Sequence, residues 1–300
     1  MERTDPQRRL NRWLANKAIS VRAATMRATA RGRKSVTTNS IEVAKHFDLV
    51  GLVSIERNVF RLDILTTLLY QTDAYLRGFA ATVTAAEGAR VALDRSAFFP
   101  GGGGQPHDTG TLRAGDLEWE VSVVKKEGGV VWHELRGGAV PMAGSAVSAE
   151  LDWERRYALM RTHTAMHILC GVVWRDYGAS VTGGNMDLLQ GRMDFEFETM
   201  RAELVDEIEA KINAEVAAAR AVRVQILPRD EAFAIPDLIR TKVNLLPAGI
   251  NEVRTVEIVG LDLQADGGTH VDNTAAVGHL RISDYKSKGR INKRLVLTVS

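Results

Sequence analysis

Between Thr66 and Glu150, apolar and polar positions alternate in short runs, FAATVTA, ARVAL, LEWEVSVV and VVWHEL, separated by Gly-rich or charged turns. Alternation with a period of two puts successive side chains on opposite faces of a strand, so residues 66–150 are predicted to form a small β-barrel-like domain. After Asp152 the pattern lengthens to a helical period over Trp153 to Tyr177. It does so again over Glu198 to Val222, with an acidic start and an Ala-rich body. The runs RMDFEF, VRVQIL, EVRTVEIV, GHLRIS and KRLVLTV read as strands. Residues 151–300 are therefore expected to lay helices on a largely antiparallel sheet, and the fold class is α+β. No internal repeat or low-complexity tract interrupts this plan.

The first 60 residues fit neither pattern. Arg8, Arg9, Arg12, Arg22, Arg27, Arg31, Arg33 and Lys34 follow one another without an intervening carboxylate, which marks a basic N-terminal extension. Such a segment suits a disordered or loosely helical arm, an arm touching RNA, a transit-like peptide, or a start placed too far upstream. Over the whole chain of 300 residues, 45% are hydrophobic and 25% charged, a globular balance. The net charge of +2 is too small to announce a nucleic-acid partner by itself. No run approaches the roughly 20 apolar residues that span a bilayer, and seven His against the single Cys170 exclude an intramolecular disulfide framework. A soluble protein of a reducing compartment, the cytoplasm, is expected.

Candidate chemistry begins at Arg161-Thr-His-Thr-Ala-Met-His, where His163 and His167 are four residues apart on a predicted helix and so share a face. Asp266 and His270 lie in Gln264-Ala-Asp-Gly-Gly-Thr-His, with two glycines that permit a tight turn. Facing pairs of this kind supply the N and O donors that zinc accepts. The same residues also suit a capped turn and a core-packed imidazole. An open coordination position would make the site hydrolytic, and a closed one would make it structural. Neither a Gly-x-Ser-x-Gly elbow nor His-Glu-x-x-His is present, which leaves metal-assisted hydrolysis as the favoured reaction class.

The paired motifs resemble the editing domain of alanyl-tRNA synthetase and the free-standing alanyl-tRNA editing proteins, whose signatures are His-x3-His and Cys-x-Gly-Thr-His. Ser96-Ala-Phe-Phe-Pro-Gly-Gly-Gly-Gly-Gln-Pro-His-Asp-Thr-Gly110 is similar to the Gly-rich motif of the family's preceding β domain. Lys286-Ser-Lys-Gly-Arg-Ile-Asn-Lys-Arg-Leu295 is similar to its basic C-terminal segment. The likeness spans about Thr66 to Ser300. It implies an ATP-independent deacylase serving translation fidelity, with tRNA(Ala) mischarged with serine or glycine as substrate and one zinc ion per chain. His163, His167 and His270 look like its zinc ligands, and Asp266 stands where the family has Cys, as a harder ligand or one acting through water.

The turn expected after the first helix, Val181-Thr-Gly-Gly-Asn-Met186, is similar to the family's pocket-lining segment, and Thr182 is the candidate for contact with a serine hydroxyl. Thr182 and Asp266 are thus the candidate catalytic residues. Gly102, Gly103, Gly104 and Gln105 are expected to approach the acceptor end of the tRNA. Lys293 and Arg294, in the cluster with Lys286, Lys288 and Arg290, are expected at its phosphates. A different zinc hydrolase of a small ester or amide, and a non-catalytic tRNA-binding module, remain alternatives. No membrane association or obligate protein partner is indicated.

Overall fold

The strand alternation after Thr66 closes into a barrel. A computed structural model describes residues 65–239 and 249–300; the expected N-terminal extension lies outside them. The short strands β1 (Thr67–Leu68) and β4 (Arg95–Ser96) pair in parallel. The barrel is built from β2 (Gly78–Glu87), β3 (Arg90–Leu93), β5 (Gly110–Ala114), β6 (Leu117–Glu127), β7 (Val130–Arg136) and β8 (Ala146–Leu151). All its pairings are antiparallel, in the order β2-β3-β7-β6-β5-β8, and β8 returns to β2. Closure leaves no free edge in the barrel. Its interior is filled by the in-phase residues, among them Val83, Leu93, Leu112, Trp119, Val121 and Val131.

Helix α1 (Trp153–Tyr177) begins where Asp152 accepts a hydrogen bond from the Arg155 backbone N–H. It ends at Gly178, whose positive φ of 62° closes the last turn. Every residue from Thr162 to Val173 is buried, because α1 runs through the centre of the second half. Around it are β9 (Val181–Asp187), β10 (Gln190–Glu196), α2 (Ala202–Ala217), β11 (Val222–Pro228), α3 (Arg229–Phe233), β12 (Glu252–Ile258), β13 (Asp262–Ala265), β14 (Leu280–Ser287) and β15 (Asn292–Val299). The antiparallel order β14-β15-β10-β9 makes one sheet, and β11-β12-β13 makes a second. The architecture is thus α+β, with an antiparallel barrel and few helices. No described helix is long and apolar enough to cross a membrane.

Two elements differ from expectation. Val181–Asp187 is a strand rather than a turn, paired with β10 through the register Met193↔Gly184. Gly184 serves packing here, since a Cβ on it would approach Met166 Cε to 3.3 Å, and a Cβ on Gly191 of the neighbouring β10 would meet Met166 Sδ at 2.8 Å. The helix expected to reach Val222 stops at Ala217, since Ala219 turns to a positive φ of 51° before β11.

The Gly-rich loop between β4 and β5 is fastened to α1. Asp108 accepts from Phe99 N at 2.6 Å and pairs with the fully buried Arg156, whose remaining N–H groups donate to Ala74 O and Ala97 O. Removing either partner would leave a buried charge uncompensated, at a cost of about 3–5 kcal/mol. Arg155 donates to His107 O at 3.0 and 3.1 Å, and Met186 N to Gly104 O at 3.2 Å. These ties hold the loop against α1 and β9.

Candidate metal centre

Helix α1 projects His163 and His167 from successive turns toward the loop that follows β13, which carries Asp266 and His270. The four side chains offer donor atoms that all lie within 4.8 Å of one another. An ion bound to N and O at about 2.0–2.2 Å draws in such a set by modest side-chain adjustment. The imidazoles are packed ring to ring, with centroids 4.2 Å apart for His163 and His270, 4.8 Å for His167 and His270, and 5.1 Å for His163 and His167.

Each ring has its Nδ1 engaged from behind. His163 Nδ1 is 3.0 Å from Gln105 Oε1, His167 Nδ1 3.0 Å from Asp262 Oδ2, and His270 Nδ1 3.2 Å from Thr164 Oγ1. With the proton on Nδ1 donated to these oxygens, each Nε2 presents a lone pair to the shared space, the tautomer a metal ligand requires. Asp266 closes the set: its Oδ1 is 3.5 Å from His163 Nε2 and its Oδ2 is 3.0 Å from His270 Nε2. Gly268 N donates to Asp266 Oδ2 at 2.7 Å, which orients the carboxylate. Three tethered imidazoles and one partly buried carboxylate fit a divalent ion that accepts N and O donors.

The electrostatics favour the ligating protonation states of His163, His270 and Asp266. Burial holds His163 well below the ordinary histidine value against the attraction of Asp266, and pushes His270 down to about 4. Burial would raise Asp266, but the facing histidines outweigh it and keep the carboxyl well below the usual range. At His167 burial acts downward, and the hydrogen bond and charge of Asp262 carry the net shift upward.

His163, His167 and Asp266 line a cavity of about 840 Å³, whose lining also includes Thr182, Gly103, Gly104, Met166, Met193 and Arg254. Thr182 is exposed there, and its Oγ1 donates to Asn292 Oδ1 at 2.9 Å. Gly102 closes a small bridge with Gln105. Gln105 itself is only 2% exposed: beyond His163, its Oε1 accepts from Thr269 N at 3.0 Å and its Nε2 donates to Thr269 Oγ1 at 2.8 Å. Its place is behind the donor set rather than at an open surface.

The two basic residues singled out near the C-terminus are also turned to internal use. Lys293, 5% exposed, donates to Gly289 O and Arg290 O, while Arg294 grips both Asp194 oxygens at 2.7 Å. Lys293 falls on the buried phase of β15 with Leu295 and Leu297, which fixes its direction. Sequence reasoning missed Asp262, Thr164, Thr269 and Arg254. Thr164 sits between the paired histidines, and Asp262 lies four residues before Asp266, the only hints the chain offers.

Residues 22–155 match the family described as tRNA synthetases class II (A), and residues 253–296 match the threonyl and alanyl tRNA synthetase second additional domain. The alanyl-tRNA editing protein AlaX-M of Saccharolobus solfataricus is 36% identical over 239 residues, covering 78% of this chain and 99% of that protein. Its counterpart in Methanosarcina barkeri is 37% identical over 241 residues, with coverage of 78% and 99%. The alanine–tRNA ligase of Pyrobaculum aerophilum is 39% identical over 225 residues, which are 72% of this chain and 25% of the ligase. With identity above a third across nearly the full length of such relatives, the chain belongs to the alanyl-tRNA editing protein family.

Proposed function

We propose that the protein is a trans-editing aminoacyl-tRNA hydrolase that removes serine or glycine wrongly attached to tRNA(Ala), working in the cytoplasm by metal-assisted ester hydrolysis. The observation that carries this reading is the convergence of His163, His167, His270 and Asp266 beside a cavity of about 840 Å³ that His163, His167 and Asp266 line. That volume lies in the range of small-molecule sites, about 300–1,000 Å³, and accommodates an aminoacyl group with part of its adenosine.

A bound zinc ion would polarise the ester carbonyl and lower the pKa of a water to about 7. The chain's own residues do the rest. Gln105, Asp262 and Thr164 hold the imidazoles with Nε2 inward. Gly103 and Gly104 let the backbone line the cavity without side chains in the way of the acceptor end.

Substrate choice rests on Thr182. Its hydroxyl proton is committed to Asn292, so its oxygen is left to accept from a serine hydroxyl. Alanine offers no such donor, and the difference is worth roughly 1–3 kcal/mol. Such discrimination matters because binding alone separates alanine, glycine and serine weakly.

The test is deacylation of Ser-tRNA(Ala), Gly-tRNA(Ala) and Ala-tRNA(Ala) by purified protein, with Thr182→Val alongside. Release of serine or glycine with alanine spared supports the reading, and Thr182→Val should narrow the serine preference by about 10-fold or more. Equal hydrolysis of all three by the wild type, or none, would refute it.

A further inference from the structure

Arg254 on β12 is the one Lys or Arg among the described residues that line the cavity. Its side chain is 5% exposed, a costly place for a cation without a purpose. Its Nε donates to Gln71 O at 2.9 Å and its Nη1 to Asp266 O at 2.9 Å, so the guanidinium is held at two points. Among the described residues its Nη2 donates to nothing. Nη1 also lies 3.7 Å from Asp266 Oδ2, the oxygen that is 3.0 Å from His270 Nε2. The guanidinium therefore stands beside the carboxylate that closes the donor set, with N–H donors left for a ligand in the cavity.

We infer that Arg254 is a catalytic residue that donates its free N–H groups to the acyl oxygen of the ester as that oxygen becomes negative. The inference rests on the deacylase reading. Water oxygen bonds to the carbonyl carbon and the carbonyl π pair moves to its oxygen, where Arg254 receives the charge. Collapse of this adduct breaks the bond to the ribose oxygen. Of the two water protons one goes to the ribose oxygen and one to solvent, leaving a carboxylate and a free hydroxyl.

A charged, preorganised donor in a low-dielectric site stabilises developing charge far more than it would in water. The alternative partner, a tRNA phosphate, is disfavoured by distance: the ribose separates the terminal ester from the phosphate on C5′, whereas Arg254 adjoins the donor set itself.

The experiment compares wild type, Arg254→Ala and Arg254→Lys in single-turnover deacylation of Ser-tRNA(Ala), with metal content measured on each sample. We expect Arg254→Ala to retain metal and KM while its rate constant falls about 100-fold or more. Added guanidinium ion should restore at least about 10-fold, and Lys, lacking the planar fork, should restore less. An unchanged rate constant overturns the inference, as does a rise in KM alone, which would mark a phosphate contact. Loss of metal in step with rate, without guanidinium rescue, overturns it too, because Arg254 would then merely support Asp266. If Arg254→Ala fails to fold, Arg254→Lys is judged alone: a slowed rate with metal intact supports the inference, and a wild-type rate overturns it. Failure of the wild type to hydrolyse any mischarged tRNA(Ala) would instead overturn the deacylase reading.

Discussion

Replacing Gln105 by Leu separates two roles that its place in the Gly-rich loop makes equally natural, contact with tRNA or support of the metal centre. The substitution keeps side-chain bulk and removes three hydrogen bonds, those with His163 Nδ1, Thr269 N and Thr269 Oγ1. Thr269 is fully buried and His163 nearly so, leaving two donors without a partner or water. At about 1–3 kcal/mol for each orphaned buried donor, the total cost is roughly 2–6 kcal/mol. Part of it appears as lost stability and part as freedom of the His163 ring. Loss of such an outer partner weakens metal binding about 10–100-fold, the equivalent of about 1.4–2.8 kcal/mol. Competition with a chelator on metal-loaded protein reads this directly. Gln105→Glu, which keeps an acceptor for His163 and Thr269, should lose much less. Since Gln105 is 2% exposed, tRNA affinity of metal-loaded Gln105→Leu should be unchanged. Wild-type metal affinity combined with weakened tRNA binding would refute this reasoning and return Gln105 to the substrate.

Gly268→Ala would place a Cβ 2.4 Å from His163 Cε1 and 2.6 Å from Gln105 Oε1, so metal content should collapse while the barrel remains folded; stoichiometric metal in the variant would show that the loop yields. Acid stability should depend on His133, whose ring stacks edge-on to Phe98 and contacts Ser96 Oγ and Val91 O in the barrel core. Burial pushes His133 down to about 4 from 6.5, so between these values the unfolded chain binds more protons. The associated stability, on the order of 3 kcal/mol, is present above about pH 6.5 and is lost as pH falls toward about 4. Urea midpoints should therefore fall with acidification more steeply for wild type than for His133→Gln, and parallel curves would count against it.

The legible parts of the molecule were those with a local period. Helix α1 covers Trp153–Tyr177, the stretch its apolar period marks in the chain, and the in-phase apolar residues of the barrel strands announce their burial. The donor residues were legible because their spacing reflects two local geometries, a helix face and a glycine turn. What was not legible depends on partners distant in sequence. Gln105 meets His163 across 58 residues, and Asp262 meets His167 across 95. Val181–Met186 read as a turn because Thr-Gly-Gly-Asn carries turn chemistry, whereas the structure pairs it as a strand in which Gly184 admits Met166. Lys293 and Arg294 read as free charge because composition does not reveal Asp194 or the inward phase of β15.

The central claim is that the three imidazoles and Asp266 form a metal centre on which ester hydrolysis depends. Its most direct test is single-turnover deacylation of Ser-tRNA(Ala) by metal-loaded, chelated and reloaded protein, with metal measured on each sample. The expected result is about one ion per chain, activity lost on chelation and recovered with zinc, and neither metal nor activity in His163→Ala. Full activity in protein shown to be metal-free would contradict the account.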